Sequence, residues 1–375
     1  MNFSLLAVGL VGSTTFINLA PRFSPRALYL RATGWMLLVS VLSYPVLLRL
    51  GHDQALKPQS WILLLLFFNW SSLNRYMLLA FKKIELDNKL GIGFGLVQLV
   101  LLGLLIGLEV ERDLMFFVYV FGMANALMFL LSGIGLYKYW PESKAKPKDG
   151  LWKAMLGQGF WAQLANISQF FSYRLSYYLI EDYLSAEALG IYGVAVSLAE
   201  ALWIISRSVS LVQMSEIANT KELSMQRKLT ADWSRLTAWF TFAVLLVLNL
   251  VPDWFYMRLF GEEFQGIAAL IHYLSPGILM LAMSNIIVHF FAGKGKYGWN
   301  ALISCFTLLL VLLVMPYAIM EFGLKGAAMA QSFAYFGGWL LAAVLFNGKA
   351  WSNYLTLFPS FTDLKHLRGV IKRLN

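Results

Sequence analysis

The segment LVLLGLLIGL, residues 99–108, decides the class of fold. It is apolar on every side of a helix, so it has no polar face to turn toward water. Over the whole chain, 59% of the 375 residues are hydrophobic and 13% are charged, whereas soluble domains carry roughly 45–50% and about 25%. So little charge cannot cover a water-facing surface. The composition therefore excludes a soluble enzyme, a secreted disulfide-rich protein and a disordered chain.

Apolar runs long enough to cross a bilayer recur along the chain, since a helical span needs about 20 such residues. Eleven runs are present, at residues 3–20, 32–48, 60–80, 90–108, 114–137, 155–180, 188–213, 236–252, 266–292, 299–320 and 326–347. No basic stretch precedes the first run, and no clean cleavage site follows it, so we expect a retained span rather than a signal peptide. The sequence predicts an all-α polytopic membrane protein with about eleven transmembrane helices.

The loops between these spans alternate in charge. One alternate set of loops, which includes the C-terminal tail, holds 23 of the 30 Lys and Arg residues, and the other set holds five. By the positive-inside rule the basic set is cytoplasmic, which places the N-terminus outside and the C-terminus inside. The net charge of +10 is therefore a topological signal. It favours contact with anionic lipid headgroups over nucleic acid.

A basic linker with two prolines divides the spans into five and six. We predict an N-terminal bundle, the cytoplasmic linker, a C-terminal bundle and a basic cytoplasmic tail, at residues 1–140, 141–153, 154–347 and 348–375. The segments that start at Met1 and Ile191 both run from an apolar helix through a short basic loop into a span that begins near Arg, Thr and Trp. If this similarity is a repeat rather than coincidence, Met1 corresponds to the start of the second helix of the C-terminal half. The N-terminal half then lacks the counterpart of the first helix.

Several segments together resemble one family of transporters. They are YRLSYYLIEDYLSAEALGIYG at 173–193, LFGEEFQG at 259–266, LSPGILMLAMSNI at 274–286, GLKGAAMAQSFAY at 323–335 and RYMLLAFKKIELDNK at 75–89. In order and spacing they are similar to bacterial polysaccharide (O-antigen-type, Wzx-like) flippases of the multidrug/oligosaccharidyl-lipid/polysaccharide exporter superfamily. The resemblance implies two pseudo-repeated six-helix bundles that form a V around a cationic cavity, here apparently without the first of twelve helices. It also implies alternating access in the bacterial inner membrane.

Three ionisable residues lie inside predicted spans, where each costs several kcal/mol and tends to face a cavity. They are Arg174, Glu200 and Arg207. Glu200 and Arg207 are seven residues apart, which places them on one face of a continuous helix. We expect the two arginines to contact a diphosphate and Glu200 to orient them or to couple to protons. Ser176 stands where the family pattern often has Asp, so no ion-coupling carboxylate carries over to that position.

A polar stripe on the sixth span adds to the predicted cavity. It consists of Gln158, Gln163, Asn166 and Gln169, with Tyr177 at the outer end and with Asn285 and His289 from the ninth span. Such polar and aromatic groups suit a sugar-diphosphate headgroup. Simpler interpretations stay open: Arg174 as a topological anchor, Glu200 and Arg207 as a structural pair, the tyrosines as an interfacial belt, and His289 as a packed, hydrogen-bonded residue.

The expected function is to flip undecaprenyl-diphosphate-linked oligosaccharide, in contact with membrane lipid and with other polysaccharide-assembly proteins. The single cysteine, Cys305, and four scattered histidines predict neither a disulfide nor a metal site. No nucleophile–base set or phosphate loop is present, so we expect no enzyme and no cofactor, and coupling to H+ or Na+ stays open. The alternatives are another exporter of the superfamily, either a peptidoglycan-precursor flippase or an ion-coupled small-molecule exporter, and a membrane glycan polymerase or ligase.

Overall fold

The computed structural model describes residues 7–50, 58–107, 114–141, 149–348 and 357 of the chain. Throughout these residues the regular structure is helical, and no strand is present among them. In this described part, six helices are long and apolar enough to cross a membrane: Ile62–Ala80, Ile84–Leu104, Val118–Lys138, Leu223–Leu250, Glu262–Gly293 and Tyr297–Asn347. The predicted all-α membrane class is therefore confirmed.

The chain divides into two compact units, unit 1 (Met1–Gln163) and unit 2 (Leu164–Asn375). The sequence placed the division earlier, in the linker 141–153, of which residues 142–148 lie outside the described part. The compact units divide instead inside a helix, so one long helix contributes residues to both. The predicted role of the linker stays a prediction.

Unit 1 is organised around one central helix. Its elements are α1 (Thr15–Leu19), α2 (Pro25–Leu50), α3 (Pro58–Ala80), α4 (Ile84–Gly107), α5 (Leu114–Lys138) and the first part of α6 (Leu151–Tyr183). Helix α3 packs against α1, α2, α4 and α5. The core includes Phe16, Leu28 and Met77, none of which is exposed. Helix α4 covers this core with one side and leaves Ile92 and Leu99 each 67% exposed on the other, as a lipid-facing helix does.

The first predicted span, 3–20, is not one continuous helix. In its described part, a helical turn at residues 7–9 is followed by turns, and α1 begins only at Thr15. The interruption falls on Gly12-Ser13-Thr14, where the backbone amide of Thr15 lies 3.5 Å from the Ser13 hydroxyl. Side chains that bond the nearby backbone in this way compete with helix formation. The sequence prediction of an uninterrupted span was therefore wrong at this position.

A buried ion pair joins α3 to α4 within unit 1. Arg75 donates from Nε to Asp87 Oδ1 at 2.6 Å and from Nη2 to Asp87 Oδ2 at 3.2 Å. The Asp87 side chain is only 6% exposed. This two-pronged geometry is the strong form of an arginine–carboxylate contact, and it fixes the turn between the two helices.

Unit 2 is likewise built around one helix. It contains the rest of α6, then α7 (Ala186–Glu200), α8 (Trp203–Asn219), α9 (Leu223–Leu250), α10 (Asp253–Phe260), a 3₁₀ turn (Glu262–Phe264), α11 (Ile267–Gly293) and α12 (Tyr297–Asn347). Helix α11 packs against α7, α8, α9, α10 and α12, so it is the central helix of the unit. Helix α7 begins at Ser185, whose hydroxyl accepts a hydrogen bond from the amide of Ala188 at 3.1 Å, a standard helix start.

Two helices of unit 2 are interrupted. The predicted span 188–213 consists of α7 and α8, which are separated by Ala201 and Leu202. Both of these residues keep helical backbone angles, so the chain changes its hydrogen bonding there without reversing direction. In α12 the break lies at Gly323, with φ 58° and ψ −137°, a conformation that glycine adopts readily. This break separates the two spans predicted at 299–320 and 326–347.

A kink in α11 is repaired by its neighbour α12. Pro276 lies inside α11, and the Ser332 hydroxyl inserts just after it. The hydroxyl donates to the Tyr273 carbonyl at 2.6 Å and accepts from the Gly277 amide at 3.3 Å. An inserted side chain of this kind is one of the known causes of a helix kink. It also satisfies backbone groups that lipid could not, as expected for a proline inside a span.

Candidate functional site

A cavity inside unit 2 is lined by one of the predicted site residues, Glu200. The cavity is small, with room for about one water molecule. Four helices contribute to its walls: Tyr173 and Ser176 from α6, Tyr192, Val196, Ala199 and Glu200 from α7, Leu274 and Ile278 from α11, and Gln331 and Tyr335 from α12. The α11 residues flank the Pro276 kink, so the kink sets the shape of one wall.

Glu200 is the carboxylate of this cavity. It is the last residue of α7 and is half-buried. Its side chain accepts a hydrogen bond from the Tyr335 hydroxyl and lies within the electrostatic reach of Arg174. A carboxylate held at a helix end between a phenol and a guanidinium can bind a proton or a cation, or can orient the arginine.

Tyr173 connects Glu200 to the neighbouring polar groups. Its ring contacts the rings of Tyr335 and Trp203, with centroids 5.9 and 5.4 Å apart. Its hydroxyl accepts a hydrogen bond from Gln169 Nε2 at 2.7 Å. The predicted residue Gln169 is therefore fixed by the aromatic wall of the cavity.

The two predicted arginines both lie on aromatic rings and are exposed. The guanidinium carbon of Arg174 is 5.0 Å from the centre of the Tyr177 ring, and that of Arg207 is 5.8 Å from the centre of the Trp203 ring. In the described residues neither guanidinium forms an ion pair, since the pairs found there join other residues. Arg174 also forms a hydrogen bond with the Tyr177 hydroxyl, but a guanidinium has five N–H donors, so both arginines retain donors that can bind an anion.

Glu200 interacts with Arg174, which is one of the two arginines that it was expected to orient. The sequence placed Glu200 and Arg207 on one face of one helix, but the helix is interrupted between them. The charge that acts on Glu200 is that of Arg174, which comes from the neighbouring helix. The prediction of a single continuous helix was wrong because sequence periodicity does not reveal where a helix breaks.

Asn285 and His289 lie one turn apart on α11, in the same unit as the arginines. Asn285 is 5% exposed and donates from Nδ2 to the Ser206 hydroxyl at 3.2 Å. His289 Nδ1 lies 2.8 Å from the Asn285 carbonyl oxygen, so Nδ1 carries a proton and donates it. The charge of Arg207 also acts on His289. Asn285 and His289 therefore adjoin the arginine-bearing helix α8.

The remaining stripe residues of α6 lie nearer its start. Gln158 and Gln163 belong to unit 1, where Gln158 Nε2 donates to Asn18 Oδ1 at 3.2 Å and Gln163 is 5% exposed. Gln163 packs directly on Gly9, where a Cβ in place of the glycine hydrogen would overlap the Gln163 amide nitrogen. Asn166 belongs to unit 2 and is exposed. The described contacts of Gln158 and Gln163 are thus packing contacts of unit 1.

Sequence reasoning missed the residues that complete the cavity. Gln331 is an amide inside the apolar run 326–347, which is the signal that could have identified it, whereas Tyr335 is one of 17 tyrosines and has no such signal. Gln331 Nε2 donates to the Ser172 carbonyl at 3.2 Å, and this contact fixes α12 against α6. No group of three or more His, Cys, Asp or Glu residues that could hold a metal occurs in the described residues.

Comparison with solved structures identifies the fold. A multidrug resistance MATE family transporter of the MOP superfamily, in an outward-facing conformation, matches with a TM-score of 0.73 and 11% identity, over 95% of this chain and 86% of that chain. The chain has the MATE fold. The bent form of a MATE transporter from Vibrio cholerae matches with a TM-score of 0.68 and 15% identity, over 94% and 85%. At such identities the likeness concerns the fold alone.

A third transporter structure and a family match complete the comparisons. The third is a Pyrococcus furiosus transporter of the MOP superfamily, described as having a binding pocket of reversed polarity, with a TM-score of 0.69, 10% identity and coverage of 94% and 85%. The family model of polysaccharide biosynthesis proteins matches residues 120–269. No curated protein sequence matches the chain. The resemblance recognised in the sequence is thereby confirmed, and the chain is a multi-pass membrane protein with the MATE fold.

Proposed function

We propose that this chain is a flippase that moves undecaprenyl-diphosphate-linked oligosaccharide across the bacterial inner membrane during surface polysaccharide biosynthesis. One observation carries the proposal. The polysaccharide biosynthesis match at residues 120–269 includes Arg174, Glu200 and Arg207, and it lies in a chain that has the MATE fold. The sequence match therefore covers the part of the fold that carries the intramembrane charges.

The two arginines are the proposed diphosphate ligands. An arginine inside a membrane costs about 2.5–3.5 kcal/mol on insertion scales, so an unpaired arginine there needs a compensating anion. Arg174 and Arg207 present N–H donors from guanidinium groups that lie on Tyr177 and Trp203, and Arg174 uses some of its donors on the Tyr177 hydroxyl. A diphosphate offers the planar, two-oxygen edge that a guanidinium binds in a bidentate manner. The nearby aromatic rings are suited to stack on sugars.

Glu200 is the proposed coupling residue. When it is ionised, its carboxylate attracts Arg174 and so competes with the substrate diphosphate for the same guanidinium. Protonation removes this competition and leaves the Glu200 carboxyl group beside the Tyr335 hydroxyl. Substrate affinity at Arg174 then depends on the occupancy of Glu200 by a proton or a monovalent cation. We also propose the partners and the topology expected from the sequence, with a cytoplasmic C-terminus.

The test is complementation in a strain whose surface polysaccharide depends on this gene. We expect Arg174→Ala to abolish or strongly reduce surface polysaccharide at a normal membrane level of the protein. The matched control is Arg258→Ala, because Arg258 is an exposed arginine on α10 outside the cavity, and this variant should behave as wild type. Normal polysaccharide with Arg174→Ala at wild-type protein level would contradict the proposal.

A second candidate is an exporter of small molecules or of a peptidoglycan precursor. The specific observation in its favour is the fold likeness to a multidrug resistance MATE transporter. Reconstitution distinguishes the candidates: the flippase moves a lipid-linked diphosphate oligosaccharide between leaflets, whereas the multidrug exporter moves organic cations and leaves the glycolipid in place. Turnover of a lipid-linked sugar by the purified protein would instead favour a glycan polymerase or ligase.

A further inference from the structure

A stripe of buried polar side chains runs between three packed helices of unit 2. We call it the polar seam, and it comprises Ser206, Ser210 and Gln213 of α8, Thr230, Ser234 and Thr237 of α9, and Asn285 of α11. Each of these side chains is at most 5% exposed. Within α8 and within α9 the members follow a spacing of four and three residues, which keeps them on one face of each helix.

Two hydrogen bonds fix how α8 and α9 face each other. Gln213 Nε2 donates to the Thr230 hydroxyl at 2.9 Å, and Gln226 Nε2 donates to the Ile217 carbonyl at 3.1 Å. The helices are antiparallel neighbours, so each step forward on α8 matches an equal step backward on α9. This register places Ser210 opposite Trp233, one residue before Ser234.

By the same register Thr237 lies opposite Ser206, which Asn285 contacts from α11. The seam is therefore a continuous lane of hydroxyl and amide groups, and not a set of isolated polar residues.

Three groups in the seam have no hydrogen-bond partner among the described residues: Gln213 Oε1, Ser234 Oγ and Thr237 Oγ1. Gln213 and Ser234 are 0% exposed and Thr237 is 2% exposed. Hydroxyls in helices can usually bond the carbonyl one turn back, as Ser210 does to the Ser206 carbonyl at 2.6 Å. An unpaired buried polar group costs about 1–3 kcal/mol, so three neighbouring ones require partners.

Water fits the spacing of these groups. Residues four apart on a helix are separated by about 6 Å along the axis, and one water that makes two hydrogen bonds of about 2.8 Å spans that distance. Buried waters typically make about three hydrogen bonds to otherwise unpaired polar groups. The unpaired amide oxygen of Gln213 can accept hydrogen bonds from water. The hydroxyls of Ser234 and Thr237 can both donate and accept them.

One end of the seam lies beside the loop between α8 and α9, and the other end lies near the cavity that contains Glu200. At one end Gln226 Nε2 also donates to the Thr220 carbonyl at 2.7 Å, next to the loop between α8 and α9. At the other end lies Trp203, three residues before Ser206. Its indole Nε1 is buried and has no partner in the described part of the chain. The Trp203 ring contacts Tyr173, which lines the cavity of Glu200.

We propose that the polar seam holds a file of ordered water molecules that leads from the α8–α9 loop to the cavity and delivers protons to Glu200. At Glu200, a hydronium ion of the file transfers a proton to a carboxylate oxygen, which yields a neutral carboxylic acid and a water molecule. The proton-delivery part rests on the proposed coupling role of Glu200. Hydration of the seam does not depend on that role.

Radiolytic labelling of the full chain in lipid nanodiscs tests hydration directly. Hydroxyl radicals formed from bound water oxidise adjacent side chains that bulk solvent does not reach. Met214 adjoins Gln213, and Met315 lies in an apolar cluster, yet both are 0% exposed. We expect the sulfoxide of Met214 to form about tenfold faster than that of Met315, a ratio equivalent to about 1.4 kcal/mol. Equal rates would overturn the proposal.

A variant of identical shape tests proton delivery. Thr237→Val removes one hydroxyl of the seam without a change of volume, and Thr307→Val is the control, since Thr307 bonds its own helix at 2.9 Å. In proteoliposomes we expect Thr237→Val to slow proton uptake after a pH jump by about tenfold and Thr307→Val to leave it unchanged. Unchanged uptake in Thr237→Val would refute delivery through the seam.

The two proposals can fail separately. If Glu200→Gln leaves transport unchanged while Met214 is labelled quickly, the coupling role of Glu200 fails and the water file stands. If Glu200→Gln abolishes proton uptake while Met214 and Met315 are labelled equally slowly, the water file fails and the coupling role stands.

Discussion

Two glycines of α6, two residues apart, give opposite predictions for the same substitution. A Cβ added at Gly159 would lie 1.8 Å from the carbonyl oxygen of Leu10 and 2.6 Å from its carbon, whereas a Cβ added at Gly157 has no neighbour within 4 Å. An ordinary carbon–oxygen contact is about 3.3–3.6 Å. Gly159→Ala must therefore push the backbone around Leu10 away by about 1.5 Å.

The magnitudes follow from this geometry. Overpacking typically costs about 1–3 kcal/mol, and contact with backbone rather than a flexible side chain places Gly159→Ala near the upper end. Gly157→Ala should instead gain up to about 1 kcal/mol from helix propensity. We expect the two variants to differ by about 3–4 kcal/mol, which corresponds to roughly 6–16 °C in Tm for a protein larger than 150 residues.

Thermal unfolding in detergent, followed by tryptophan fluorescence, measures this difference. Each variant serves as the control for the other, because both change one glycine of the same helix to alanine. Equal Tm values for Gly157→Ala and Gly159→Ala would show that α6 does not pack on the Leu10 backbone and would refute the reasoning.

Three further predictions concern stability. Ser332→Ala leaves the two backbone groups that this hydroxyl bridges without a partner, so we expect a loss of about 2–4 kcal/mol in denaturant unfolding; a loss below about 0.5 kcal/mol would exclude the bridge. Asp87→Ala leaves Arg75 unpaired but 34% exposed, so we expect a loss of about 2 kcal/mol, and Arg75→Lys should cost less because it keeps the charge. Burial and neighbouring cations hold the pKa of Lys294 below its usual 10.5. The folded protein therefore loses this proton at a lower pH than the unfolded protein does, so the free energy of unfolding should rise with pH up to 10.5. A Tm–pH profile of Lys294→Met should lack that rise.

The sequence predicted the class of fold because hydrophobicity is a local property. The all-apolar run at 99–108 lies largely in α4, and the separation of the last two spans coincides with the break at Gly323. The interruption of the first span was not predicted, since Gly12, Ser13 and Thr14 are each tolerated inside a membrane helix. Whether they break the helix depends on tertiary contacts, which a single sequence does not show.

The candidate site was predicted in part for a similar reason. Charged residues inside apolar runs stand out, so Arg174 and Glu200 could be selected from the sequence. Tyr335 could not, because one tyrosine among many has no local signal, and only the packing of α12 on α6 and α7 brings it to Glu200. The proline in α11 shows the same limit. The proline itself is visible in the sequence, but nothing local indicates that Ser332 is the neighbour that satisfies the backbone near Pro276.

The helices that carry the arginines and Glu200 are not suited to cross a membrane by themselves. Helices α6, α7 and α8 are not among the helices that are long and apolar enough to cross a membrane. Helix α6 is long enough, but its polar and charged residues lower its hydropathy, whereas α7 and α8 have only 15 and 17 residues. Each intramembrane charge costs about 2.5–3.5 kcal/mol on insertion, and only the folded unit can return that free energy. It does so through rings that hold the arginines, through Tyr335 beside Glu200, and through the polar seam between α8 and α9. These helices therefore depend on α9, α11 and α12 for their stability in the bilayer, and substitutions that remove a site residue act on packing and on transport at once.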